Sequence, residues 1–133
     1  MIEQRIPHRA LIVVADGGGA KFFRNSGNEM YIALTSEGEL GPAHLTTEGP
    51  SGHRPIESSG QETDEATFAK QLAKELYARA HRDDFKALVL IADPQTLGQI
   101  RPLLHNEVVN RLILELAKTL RKATVADIQQ ALR

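Results

Sequence analysis

Two stretches of the chain are apolar without interruption, residues 10–15 (ALIVVA) and 87–92 (ALVLIA). Neither alternates with polar positions, which is the pattern of short strands covered on both faces. Gly17, Gly18 and Gly19 follow the first run and allow a tight reversal. Residues 20–24 (AKFFR) then read as a second strand. Turn chemistry at Asn25-Ser26-Gly27-Asn28 leads into a third, residues 29–35 (EMYIALT). Three strands with short links predict an antiparallel meander.

Further on the period changes. Phe68, Leu72, Leu76 and Ala80 recur every fourth residue, joined by Ala69 and Ala73, while Lys70, Lys74 and Glu75 fall on the other side. This predicts an amphipathic helix capped by Thr63 or Asp64 and running to about His81. After the second apolar strand, Asp93-Pro94 reads as an N-cap followed by proline at the first helical position. Pro102 interrupts that helix, and a second short one can begin there. Residues 109–120 fit two periods. Val109, Leu112, Ile113, Leu116, Ala117 and Leu120 make a helical stripe, whereas Leu112, Leu114 and Leu116 alternate as in a strand; periodicity alone favours the helix. Thr124, with Asp127 three residues later, opens a terminal helix carrying Val125, Ile128 and Leu132. The order β-β-β-α-β-α-(β or α)-α predicts one α/β sandwich with a mixed sheet and flanking helices over residues 1–133.

Between the meander and the long helix lies a polar stretch, residues 36–61, rich in Gly, Pro, Ser and Thr and poor in apolar residues. Such a composition buries no core, so a flexible loop is expected.

Composition narrows the chemistry. The chain has 133 residues, enough for one core without staples, and no cysteine, which excludes disulfides, thiol nucleophiles and thiolate metal sites. With 16 basic and 17 acidic residues, the net charge of -1 drives no association with nucleic acid by itself. The charge is uneven. Residues 35–65 hold seven acidic residues and one basic, Arg54, while residues 101–133 hold six basic and three acidic. No signal peptide or membrane span is read from the sequence, so the expected location is the cytoplasm.

The glycine run lacks the spacing of a phosphate loop and is followed by a strand, so it reads as a plain turn. Asp16 and Asp93 each end an apolar strand; on parallel neighbours they would share one sheet edge, where paired carboxylates can hold a divalent ion. A turn and a helix cap are the simpler roles, and no metal or cofactor is expected. The five histidines, His8, His44, His53, His81 and His105, form no ligand-spaced pair. No GxSxG elbow is present, and no catalytic residue is assigned.

Four segments, ADGGGAKFF (15–23), FAKQLAKEL (68–76), LVLIADPQTLGQIRPLLH (88–105) and KTLRKATVADIQQAL (118–132), resemble in order and spacing the host-attachment-protein family of bacteria. That family is distantly similar to the middle domain of the class-1 peptide release factors of eukaryotes and archaea. The resemblance implies a ribonuclease-H-like topology, with residues 112–116 as a strand. In the release-factor domain a Gly-Gly-Gln loop precedes a long helix and promotes peptidyl-tRNA hydrolysis. Ser59-Gly60-Gln61 stands in the corresponding place, with serine for the first glycine and with Glu57, Glu62, Asp64 and Glu65 around it. Acidic neighbours oppose an approach to tRNA phosphate. The resemblance thus implies a binding or regulatory protein with a role, direct or indirect, in attachment to host cells. The alternative is an RNA- or ribosome-associated module. The partner, a protein or RNA, and the oligomeric state are not legible.

Overall fold

The computed structural model describes residues 5–41 and 60–132. Its elements are β1 (Leu11–Asp16), β2 (Gly19–Asn25), β3 (Leu34–Leu40), α1 (Gly60–His81), β4 (Leu88–Ala92), α2 (Pro94–Ile100), a 3₁₀ turn (Arg101–Leu103), α3 (Asn106–Val109), β5 (Leu112–Ala117) and α4 (Val125–Ala131). The strands form one sheet in the order β3-β2-β1-β4-β5. β1 runs antiparallel to β2 and parallel to β4, β2–β3 is antiparallel and β4–β5 parallel. The result is a single-domain α/β sandwich with a mixed sheet, as the sequence and the ribonuclease-H-like resemblance imply.

The unbroken apolar runs become the two central strands because a central strand must satisfy both faces. Leu11, Val13 and Ala15 point to one side with Phe22, Leu88 and Leu90; Ile12 and Val14 point to the other with Phe23, Val89 and Ile91. α1 lies on the first side. Its Phe68, Leu72, Leu76 and Ala80 are all buried there, and burying each large side chain contributes roughly 1.5–3 kcal/mol. The second side is covered by α4, through Ile128 and Leu132, and by Ile6 of the N-terminal segment.

Two expectations need correction. The third strand is not residues 29–35 but Leu34–Leu40. Asn28 Oδ1 accepts hydrogen bonds from the backbone N–H groups of Met30 and Tyr31, both at 2.8 Å. The turn is thereby prolonged, and Met30 and Tyr31 stand 80% and 75% exposed. Gly27 is required in it, since a Cβ there would overlap the carbonyl oxygen of Tyr31. The loop expected over residues 36–61 is therefore strand at its start, where residues 36–40 lie in β3, and helix at its end. α1 begins at Gly60, ahead of the expected caps Thr63 and Asp64. Residues 42–59 lie outside the described residues. Residues 112–117 are a strand, as the resemblance implies and against their helical period. Parallel pairing with β4, with a register shift between Leu88 and Val89, satisfies the backbone, and every residue from Leu112 to Leu116 is half-buried. The helical stripe and a half-covered edge strand place leucines at many of the same positions.

The remaining signals hold. Asp93 caps α2 with Pro94 at its start, the helix gives way at Pro102 to a 3₁₀ turn, and Thr124 Oγ1 accepts from Asp127 N at 3.1 Å to cap α4. Among the described residues no helix is long and apolar enough to cross a membrane.

Candidate functional site

The two strand-end carboxylates share one edge of the sheet. β1 and β4 are parallel with Ala15 opposite Ala92, so Asp16 and Asp93 follow at the same end. Each is already engaged. Asp16 Oδ1 accepts from Gly18 N at 2.7 Å, closing the β1–β2 turn, and Arg121 Nε lies 2.7 Å from the same oxygen as an ion-pair partner. Asp93 Oδ2 accepts from Thr96 N at 3.1 Å and Oδ1 from the Thr96 hydroxyl at 2.7 Å. Both carboxylates thus serve a turn and a cap. Among the described residues no group of three or more His, Asp or Glu gathers as metal ligands do.

Of the Ser59-Gly60-Gln61 loop, Ser59 lies outside the described residues, and Gly60 and Gln61 open α1. The tripeptide and the carboxylates are separate features, each built on a different element.

A third feature was not legible in the sequence. On the outer face of α1, Tyr77 packs against His105, with ring centroids 4.2 Å apart and ring planes 30° apart. His81, one turn further on, is 5.7 Å from Tyr77. His105 is itself held: its Nδ1 accepts from Glu107 N at 3.1 Å, capping α3. Lys70, Ala73, Lys74, Tyr77, Leu103 and His105 line an open groove of about 340 Å³. The only advance signal was that Lys70, Lys74 and Tyr77 share the non-core side of an amphipathic helix. His105 reaches it through the fold of the α2–α3 connection.

A further cluster of charges lies at the opposite end of the sheet. The Arg24 guanidinium sits 2.9 Å from Glu37 and 3.0 Å from Asp84. Burial disfavours its charge, yet the two carboxylates outweigh that and hold its pKa above the ordinary arginine value. Asp83 is lowered from the ordinary aspartate value, first by its hydrogen bond from Arg111 and then by Lys86. These groups fasten the α1–β4 turn.

The family model for bacterial archaeo-eukaryotic release factor family 12 matches residues 9–132, nearly the whole chain. The chain belongs to that family. No curated protein matches it. The release-factor kinship inferred from the four segments is thereby supported, and the match carries no reference to host attachment. In a member of a release-factor family, the start of α1 at Gly60 and Gln61 and the groove further along the same helix gain interest together, because one long helix carries both.

Proposed function

We propose that this protein is a ribosome- or RNA-associated binding module related to the release-factor middle domain, without peptidyl-tRNA hydrolase activity. The observation that carries the reading is the family match over residues 9–132. Gly60 and Gln61 at the head of a 22-residue helix are consistent with it. Two sequence features argue for binding rather than hydrolysis. Ser59 restores a Cβ where the related loop has glycine. Glu57, Glu62, Asp64 and Glu65 flank the tripeptide in the sequence, negative charge that opposes tRNA phosphate. A role in attachment to host cells, which the host-attachment resemblance implies, is on this reading an indirect consequence of action on translation.

Sedimentation with purified ribosomes tests the reading. The protein is expected in the ribosomal pellet at moderate salt and in the supernatant after nuclease treatment. Absence from the pellet at every salt concentration would refute the association. In a peptide-release assay on programmed ribosomes, wild type and Gln61→Ala are both expected to be inactive; release by the wild type that Gln61→Ala abolishes would make the loop catalytic.

A further inference from the structure

The groove on α1 combines two chemistries on one surface. Lys70, Lys74, Tyr77 and His81 stand at i, i+4, i+7 and i+11, one continuous stripe along the outer side of the helix. Lys70 and Lys74 are exposed, and neither is paired with a carboxylate among the described residues. Among the described residues, Glu75 is held by Arg79 at 2.7 Å and Glu107 faces His81 at 3.5 Å. Next to the lysines, Tyr77 and Leu103 remain 36% and 39% exposed, although His105 covers part of the Tyr77 ring.

We propose that this groove binds single-stranded RNA, with a base against Tyr77 and Leu103 and flanking phosphates on Lys70 and Lys74. The proposal rests on the RNA-associated reading above and gives it a site. Several observations favour this occupant. His105, fixed by its bond from Glu107 N, braces the Tyr77 ring, so the ring is set in place before any ligand arrives. A braced aromatic beside lysines is the recurring solution for single strands, because every base has a face to stack while charge tracks the backbone. A duplex hides its bases and would meet only the lysines. Among the described residues the groove's lining holds no acidic side chain, so the lining itself sets no like charge against a phosphate chain. Lys70 lies about 15 Å along the helix from Gly60, at roughly 1.5 Å per residue. RNA could therefore be held there without touching the Ser59-Gly60-Gln61 loop.

Fluorescence anisotropy with a labelled single-stranded 12-nucleotide RNA and the matching duplex, run beside ribosome sedimentation, tests this on the full chain. The wild type is expected to bind the single strand more tightly than the duplex. Lys70→Glu/Lys74→Glu should weaken binding about tenfold or more. Lys70→Ala/Lys74→Ala should flatten the slope of log affinity against log salt by about 1.4, the value for two phosphate contacts on a single strand. Tyr77→Leu should weaken binding about fivefold or more while Tyr77→Phe restores it. Unchanged thermal midpoints in the lysine variants separate loss of contact from loss of fold. No binding of the single strand, or equal binding by the lysine variants, overturns the proposal. If the wild type still sediments with ribosomes in that case, the broader reading survives and the groove assignment alone fails. If sedimentation is lost in the lysine variants although no RNA oligonucleotide binds, the groove faces a ribosomal protein instead, and the RNA assignment is overturned. Failure of both assays removes the proposal and the reading it rests on.

Discussion

Leu72 and Ile128 are both fully buried against the sheet, one on each side, yet their helices are held there differently. Leu72 belongs to the 22-residue α1, which presents Phe68, Ala69, Leu72, Ala73, Leu76 and Ala80 as a continuous stripe. Arg79 closes its margin by lying over the Phe22 ring, 4.5 Å from the centroid. Ile128 belongs to the seven-residue α4. Around it Ile113, Leu114, Leu116, Leu120 and Ala123 are only partly covered. On this side short pieces are fastened by hydrogen bonds. Leu34 N donates to Gln129 Oε1 at 2.9 Å, which ties α4 to β3. Asn25, itself buried, donates from Nδ2 to the carbonyls of Ile6 and Pro7, at 3.0 and 3.2 Å. One side is sealed by apolar contact along a long element, and the other is assembled from fragments held by polar bonds at their margins.

The largest effect that tests this contrast is Leu72→Ala. It should destabilise the protein by roughly 2–5 kcal/mol, the range for truncating a leucine inside a packed core. A loss below about 1 kcal/mol in denaturant unfolding would mean that α1 does not seal its side. Next is Asn25→Ala. Its Oδ1 also accepts from Gly27 N and Ala33 N, at 3.0 and 3.2 Å, so the substitution removes bonds that join the buried Ile6 carbonyl and several part-buried backbone groups. A cost of about 1–3 kcal/mol is expected. It should be accompanied by faster hydrogen exchange in the N-terminal segment and little change in α1. Uniform loosening of both sides would break the comparison.

Thr124→Ala should cost about 1 kcal/mol, the usual value of an N-cap side chain. Its effect should appear as faster amide exchange confined to α4, sharpening the view of that helix as a separately fastened piece. The smallest effect concerns pH. Asp83 has a lowered pKa in the fold, so its contribution is fully present above 3.8 and is lost as pH falls through the lower folded value. Asp83→Asn, which suits the positive φ of 59° at this position, should flatten the acid limb of the stability curve below about pH 4. Its carboxylate is solvent-exposed, so the change should be slight; an equally steep acid limb in the variant would remove Asp83 from the account.

How far the sequence reveals each side follows from the same contrast. A long stripe leaves a periodic mark, and Phe68, Leu72, Leu76 and Ala80 were readable as core for that reason. β1 and β4 were readable because strands covered on both faces are apolar along their length, up to Asp16 at the end of β1. The fragmentary side leaves weaker marks. β5 is an edge strand half-covered from Leu112 to Leu116, so its leucines satisfy a helical template as well as a strand. β3 is an edge strand of a different kind, LTSEGEL, almost wholly exposed, and nothing apolar announces it. Met30 and Tyr31 instead look like strand residues although they stand at a turn. Among the site residues, Asp93 as a cap was readable from its neighbour Pro94. The ion pair between Arg121 and Asp16 was not, nor was the contact of Tyr77 with His105. Both join positions far apart in the chain, and only packing brings them together.

The central place of β1 has a consequence for how the chain folds. Ala15 meets Ala20 across the hairpin and Ala92 across the parallel pair. The first partner is a few residues away and the second lies more than half the chain length away. Hairpins close in microseconds, whereas a parallel pairing must first close the whole intervening loop. β1 and β2 are therefore expected to meet early, and β4 to dock onto a strand whose other edge is already taken. Substitutions in the hairpin should then slow folding, while those at the β4–β5 edge should mainly hasten unfolding. The middle of this sheet is then a seam between an early local half and a late distant one, and the late half carries the connection that sets His105 against α1.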